Sequence, residues 1–333
     1  MKKIVLLCIL ILCSNFKKNH DEFVISFGSC NKQYTSNVLW PEITKNNPSV
    51  WIWGGDNVYS DTDNMLKLRA DYQTQWKQKG YKEFANSVDV LATWDDHDYG
   101  LNDGGEDFYK KKESQKEFLD FLHVPKYDHR RHQEGVYTSK TYTTPKGSVQ
   151  VIVLDTRYFR TALTESRESG KRYQPNTYGQ GTVLGEQQWK WLTSQLQNSK
   201  ADFNIMVSSI QFLSHLHGYE SWGNFPHEVD RLKRLIKNSK ASGVLLLSGD
   251  RHISEFSSTK IEGVSFPLID FTSSGLTHAY TNFKGEENPN RVGKVVSELS
   301  FGILKFDFKA KKITMQMRGK KNILQQEYIQ SYK

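Results

Sequence analysis

Six short apolar runs lead into polar, chemistry-bearing residues, and this placement constrains the chain more than any other feature. Phe23-Val24-Ile25-Ser26-Phe27 leads into Gly28-Ser29-Cys30, and Val50-Trp51-Ile52-Trp53 into Gly54-Gly55-Asp56. Val90-Leu91-Ala92-Thr93-Trp94 leads into Asp95-Asp96-His97-Asp98, and Val149 to Leu154 into Asp155-Thr156-Arg157. Asn204 to Ser208 is a fifth run, and Gly243 to Leu247 leads into Ser248-Gly249-Asp250-Arg251-His252. Near-continuous apolar runs of this length read as strands buried on both faces. Helices are predicted between them over 64–88, 107–122, 185–198 and 227–240; in the third, Trp189, Leu192 and Leu196 recur at helical spacing. Segments 253–275 and 301–318 read as strands of a second sheet, with Phe301, Ile303, Leu304, Phe306 and Phe308 apolar. The expected fold is α/β (α+β), two packed mixed β-sheets flanked by helices. Residues 160–183, polar and Gly-rich, are expected as a long surface loop or lid. Active sites of such sheets form at the carboxyl ends of the strands. One Asp there is a turn; at least four runs ending in Asp, His, Cys or Asn point to a site.

Composition narrows the class. With 37% hydrophobic and 13% aromatic residues the chain has material for a core and is not of disordered composition. The formal charge of +8 is spread along the chain, read either as a lysine-rich solvated surface or as attraction for anionic substrates. There is no dense Lys/Arg run with interleaved aromatics, so no nucleic-acid-binding module is expected. Lys2-Lys3 before Ile4-Val5-Leu6-Leu7-Cys8-Ile9-Leu10-Ile11-Leu12 reads as an export signal, too short to span a bilayer. Residues 1–20 are therefore expected as a signal peptide or lipoprotein signal, with Cys13 as the lipidated residue, and 21–333 as the catalytic domain. The expected location is the periplasm, the cell surface or the medium. Cys8 and Cys13 lie in the signal, which leaves Cys30 alone beyond it and excludes an internal disulfide there.

The strand ends supply candidate ligands. Cys30 is a thiolate ligand for iron or zinc, or else a small buried hydrophobe. Asp56 can bridge two ions, and Tyr59, three residues on, can lie on the same side of a turn. A phenol with a pKa near 10 ionises only on a strongly acidic ion such as ferric iron. Asp95, Asp96 and Asp98 around His97 repel one another unless a cation or proton intervenes, and burying them unpaired is costly. Asp250 and His252, two apart, would face one way in an extended segment, toward one centre. Arg157 offers a fork for phosphate oxygens, or an ion pair that holds Asp155. Trp222 to Glu228 reads as a wall of the cleft or as core; His215 and His217 read as groups beside the site or on the surface rather than as ligands.

Taken in order, Phe-Gly-Ser-Cys (27–30), Gly-Asp-Asn-Val-Tyr (55–59), Trp-Asp-Asp-His-Asp (94–98) with Asn102, Leu-Asp-Thr-Arg (154–157) and Gly-Asp-Arg-His (249–252) resemble the PhoD-like alkaline phosphatases, relatives of the purple acid phosphatases. The resemblance implies the calcineurin-like metallophosphoesterase fold and a binuclear or larger centre of Fe(3+) and Ca(2+), or other divalent metals. It carries metal-ligand roles onto Cys30, Asp56, Tyr59, Asn102, Asp250 and His252. It places Asp96 as a bridging ligand and His97 as a catalytic histidine. The implied chemistry is hydrolysis of phosphate monoesters by a metal-bound hydroxide, His97 protonating the leaving alkoxide or orienting the ester. The alternatives are a phosphodiesterase or phospholipase D-like activity on lipid, nucleotide or cell-wall diesters, and a non-catalytic surface protein with a relic site. The relic reading predicts missing ligands, and none of the blocks lacks one. The implied partner is a phosphorylated small molecule or lipid, with a lipid anchor to the membrane. One departure is Ser208-Ser209-Ile210-Gln211, where purple acid phosphatases place a histidine ligand.

Overall fold

Strands apolar on both faces need cover on both sides, and the structure supplies it in four layers. It is a computed structural model and describes residues 22–332; residues 1–20, with the proposed lipidation site Cys13, lie outside the described residues. In chain order the elements are β1 (Val24–Gly28), α1 (Trp40–Thr44), β2 (Val50–Gly54), α2 (Met65–Trp76), α3 (Tyr81–Ala85), β3 (Asp89–Thr93), α4 (Asp96–Tyr99) and α5 (Lys111–Phe121). Then come β4 (Thr138–Thr144), β5 (Gly147–Val153), β6 (Thr164–Glu165), β7 (Tyr173–Gln174), α6 (Gly185–Asn198), β8 (Phe203–Val207) and α7 (Pro226–Ser239). The chain closes with β9 (Val244–Ser248), β10 (Ser254–Thr259), β11 (Leu268–Ser273), β12 (Arg291–Val296), β13 (Phe301–Asp307), β14 (Lys312–Arg318) and β15 (Leu324–Ser331).

One sheet runs β15-β14-β13-β1-β2-β3 and the other β12-β10-β11-β9-β8-β5-β4. In the first, β1, β2 and β3 are parallel; in the second, β5, β8, β9 and β11 are. Alternation along each strand sorts the side chains. On β2, Val50 and Ile52 join Ile25 and Phe27 in the layer between the sheets, which also holds Val151, Ile205 and Leu247. Trp51 and Trp53 point the other way, into a core with Trp40, Leu68, Tyr81 and Phe118 beneath α1, α2, α3 and α5. The outer face of the second sheet packs Ile152, Met206 and Leu246 against Trp189, Leu192 and Leu232 of α6 and α7.

Two expectations are corrected. The stretch 64–88 is not one helix: Gly80 has φ +84, a left-handed turn that separates α2 from α3. Nor do 253–275 and 301–318 share a sheet. β11 lies parallel beside β9, with Phe271 opposite Leu247, while β13 lies antiparallel beside β1. Each late pair thereby covers an otherwise open edge of one sheet. The polar loop 160–183 carries a two-stranded ribbon, with Thr164 opposite Gln174 and Glu165 opposite Tyr173. No helix among the described residues is long and apolar enough to cross a membrane.

Candidate metal centre

The parallel strands of both sheets end at one edge, and small residues let those ends close on each other. A Cβ on Gly55 would lie 2.6 Å from Asp95 Cβ and 2.9 Å from Ser209 Cβ. A Cβ on Gly249 would lie 2.6 Å from Gly54 O. The closed ends are stitched by Gly249 N–H to Ser209 O at 3.0 Å and Asn31 N–H to Asp56 O at 2.9 Å.

The turns that leave these strands are left-handed at residues that disfavour it. Cys30 has φ 61, Asp56 φ 51, Asp250 φ 71 and His252 φ 54. Such backbone costs about 1–3 kcal/mol per residue and persists where the surroundings over-determine it. It turns the four side chains into one pocket.

Three sets of ligand atoms lie there, each within 4.8 Å of one another: Cys30, Asp56 and His252; Asp56, Asp96 and His97; Asp95, Asp96 and Asp250. Asp56 belongs to two sets and so does Asp96, so the sets form a chain. Tyr59 Oη donates to Asp56 Oδ2 at 2.9 Å and lies 2.9 Å from His252 Nε2. Cys30 Sγ is 3.4 Å from Asp56 Oδ2 and 2.9 Å from Ser274 Oγ. His252 and Asp250 therefore fall in the two end sets of the chain, joined through the set of Asp56, Asp96 and His97. Their segment is bent, not extended, because both residues are left-handed.

The donors fit cations. Asp56 Oδ1 and Asp95 Oδ2 are buried acceptors without a hydrogen-bond partner, an arrangement that is costly unless a cation or proton satisfies it. Burial pushes the Cys30 thiol up to about 11 and the Asp56 carboxyl well above its usual range. Burial also takes Asp95 to about 7, against the pull of Arg157, and desolvation together with the Asp95 charge takes Asp250 to about 8. Asp96 is held low: burial raises it, but the Arg157 and His97 charges and the backbone N–H groups of Asp103 and His97 outweigh burial. Sulfur, phenol, imidazole and carboxylate in one pocket suit a transition metal beside a hard, oxygen-loving cation.

His97 Nδ1 is 2.7 Å from Asp61 Oδ1, and its ring lies over Tyr59 at 4.1 Å between centroids. Burial disfavours the imidazolium, but Asp56, Asp61 and Asp96 outweigh it and carry His97 up to about 11. Asp98 turns away from the cluster. Its carboxylate accepts from Asp95 N–H at 2.7 Å and Asn57 Nδ2 at 2.6 Å, and shapes the turn.

Arg157 differs from both expectations for it. It is wholly buried, with Nε 2.6 Å from Asp95 Oδ1 and Nη1 2.5 Å from Glu220 Oε2. Glu220 Oε1 meets Arg160 Nε at 2.9 Å. Asp155 is held instead by Trp94 Nε1 and the N–H groups of Val136, Arg157 and Tyr158. Enclosed in this network, the Arg157 guanidinium is turned to Asp95 and Glu220. Asn102 is exposed, and its neighbour Asp103 makes the contact to Asp96, N–H to Oδ2 at 2.8 Å. After β8, Ser209 Oγ donates to Asp95 Oδ1 at 2.7 Å where a histidine ligand was looked for. His215 and His217 bond to Leu213 O and Ser214 O, away from the three sets. Trp222 and Phe225 are fully buried, and Glu228 binds Val183 N–H and Trp189 Nε1, so that segment is core.

Sequence reasoning missed Asp61, Glu220, Ser274 and His278. The last two carried a readable signal: Leu268 to Phe271 is another apolar run, and it leads into Thr272-Ser273-Ser274 with His278 close behind.

Residues 13–317 match the family described as PhoD-like phosphatase. Alkaline phosphatase D of Bacillus subtilis (strain 168) is 29% identical over 140 residues, 37% of this chain and 24% of that protein. The matched stretch thus spans about a quarter of that relative's length. A solved structure of PhoD superposes with a TM-score of 0.72 at 17% identity, covering 93% of this chain and 68% of that one. Purple acid phosphatase PPD1 from yellow lupin (Lupinus luteus) seeds gives a TM-score of 0.62 at 10% identity, covering 92% and 53%. Both structures share the fold of this chain.

Proposed function

This chain belongs to the PhoD-like phosphatase family, and from that premise we propose that it is an exported, metal-dependent hydrolase of phosphate esters, acting foremost on monoesters. One observation carries the reading: Asp56 and Asp96 each serve two adjoining sets of ligand atoms, so ions in those sets would sit side by side against one phosphoryl group. The thiol of Cys30, the phenol of Tyr59, Asp56 and His252 suit ferric iron, and the all-carboxylate set of Asp95, Asp96 and Asp250 suits calcium. Asn102 stands next to the residue that holds Asp96, which supports it as a ligand at the rim.

When bound, the ions supply an activated water and neutralise the phosphate oxygens. The chain's own residues hold the geometry. Arg157 and Ser209 fix Asp95, Asp103 N–H fixes Asp96, and Ser274 fixes Cys30. Asp61 takes His97 Nδ1, so His97 presents its proton from Nε2 to the leaving oxygen. The substrate is a phosphorylated small molecule or lipid, and the net positive charge, +8 over the full chain, favours its approach. Residues 1–20 support export, with Cys13 as the anchored residue.

Purified protein assayed with p-nitrophenyl phosphate and with its bis-ester, before and after chelation and with iron and calcium restored, tests the proposal. Faster monoester turnover that chelation abolishes is expected. Faster diester turnover would make the enzyme a phosphodiesterase, and turnover indifferent to chelation would overturn the metal-dependent reading.

A further inference from the structure

Lys32 stands at the mouth of the metal pocket. The pocket has a buried floor of Cys30, Asp56, Asp95 and Asp96. Four partly buried rings, Tyr59, His97, His252 and His278, form its rim. Tyr59 is in the middle of them, its centroid 4.1 Å from that of His97, 5.1 Å from His278 and 6.4 Å from His252. Lys32 Nζ lies over the same ring, 5.5 Å from its centroid. The backbone puts it there: Lys32 comes two residues after Cys30, its N–H donates to Thr277 Oγ1 at 2.8 Å, and its carbonyl closes a turn by accepting Thr35 N–H at 2.9 Å. The side chain itself is left exposed.

The other cations around the centre are already spent. His97 meets Asp61, Arg157 meets Asp95 and Glu220, and Arg160 shares Glu220. Arg172 meets Asp103, and Arg251 meets Glu286. Among the described residues, Lys32 alone of this group has no carboxylate within ion-pair distance; its ammonium has only the Tyr59 ring. Burial lowers the pKa of His252 and of His278, and the Lys32 charge lowers both further, so the ammonium acts on the rings of the rim. A phosphoryl group held against the buried floor would extend its alcohol outward, past Tyr59 and toward this charge. A compact point charge on a flexible four-carbon stem suits a carboxylate or a phosphate at that place alike.

We propose that Lys32 selects the substrate, its ammonium pairing with a second anionic group on the alcohol part of the phosphate ester. The inference rests on the functional reading above for hydrolysis of the ester itself. Phenyl phosphate and 3-carboxyphenyl phosphate are compared by kcat/KM in metal-loaded wild type, Lys32→Met, Lys32→Glu and Lys200→Met. The ratio of the two esters within one preparation cancels the fraction of folded, loaded protein. Lys200 is exposed just ahead of β8, at the opposite end of the strands, and its replacement removes the same charge far from the pocket. Wild type is expected to favour the carboxylated ester by about 2–5-fold at low salt. Lys32→Met removes that preference, Lys32→Glu reverses it, Lys200→Met keeps it, and about 1 M salt flattens it. Three results overturn the proposal and leave the functional reading standing: turnover of both esters without preference, a preference unchanged in Lys32→Glu, or one lowered as far by Lys200→Met as by Lys32→Met. A loaded wild type that hydrolyses neither ester overturns both.

Discussion

The backbone N–H of Asp103 donates to Asp96 Oδ2 at 2.8 Å. The same residue's carboxylate takes Tyr173 Oη at 2.8 Å and Arg172 Nη2 at 2.8 Å, so one residue fastens the 160–183 loop to the cluster.

Asp103→Asn keeps the left-handed φ of 49, which Asn tolerates, and removes the charge that holds the loop. Arg172 is more than half exposed, so the stability cost is under about 1 kcal/mol. KM for bulky phosphate esters is expected to rise several-fold, while kcat for p-nitrophenyl phosphate stays within about twofold. Steady-state kinetics on the two ester sizes checks this; a fall in kcat alone would assign Asp103 to the support of Asp96 and not to the loop.

Tyr59→Phe removes the phenol that bridges Asp56 Oδ2 and His252 Nε2. The iron-loaded wild type is expected to show a visible phenolate-to-metal band and the variant to lack it, with a circular-dichroism spectrum like that of wild type. A band that survives the substitution would place the colour on Cys30.

Arg157→Met leaves Asp95 and Glu220 without their shared cation in a site with no exposure. Breaking a buried pair from one side costs about 3–5 kcal/mol. Chemical denaturation should register a loss of that order. The paired change Arg157→Met with Glu220→Gln should recover part of it, whereas a loss below about 1 kcal/mol would mean the network carries little of the fold.

His217 sets an acid limit on stability. Its ring nitrogens are both committed, Nε2–H to Ser214 O and Nδ1 accepting Tyr219 N–H, so no second proton has an acceptor. Burial, with the nearby Arg251 charge, drops its pKa from 6.5 to about 3. A base depressed in the folded state contributes stability that is present above pH 6.5 and is lost as pH falls toward about 3. The full loss is on the order of 5 kcal/mol. His217→Gln can keep one donor and one acceptor but cannot take the proton. Its melting temperature should fall less steeply than that of wild type between pH 6.5 and 4.5, and parallel slopes would refute the assignment.

The candidate ligands on strand ends were legible because a polar residue behind a buried apolar run has to be explained, and Cys30, Asp56, Asp96, Asp250 and His252 each stand in that position. What sequence hides is which charge meets which. Arg157 follows a strand end like the others, yet its partner Glu220 is 63 residues away and is set by how the 214–221 loop packs. Asp61 reads as a turn residue until the fold lays it on His97. The late strands alternate clearly enough to be seen, but alternation does not say which open edge they will cover. For that reason β11 and β13 could be named as strands and not assigned to different sheets.

On the proposed reading, the left-handed turns at Cys30, Asp56, Asp250 and His252 would make the protein's endurance depend on its supply of ions. Each side chain is bent into the pocket against its backbone preference, and an ion that binds only this arrangement returns that strain as added stability. Where those ions are scarce, the protein would be idle and also easier to melt and to digest. Its lifetime would then follow the metal content of its surroundings, and a chain starved of metal would be cleared sooner than a loaded one.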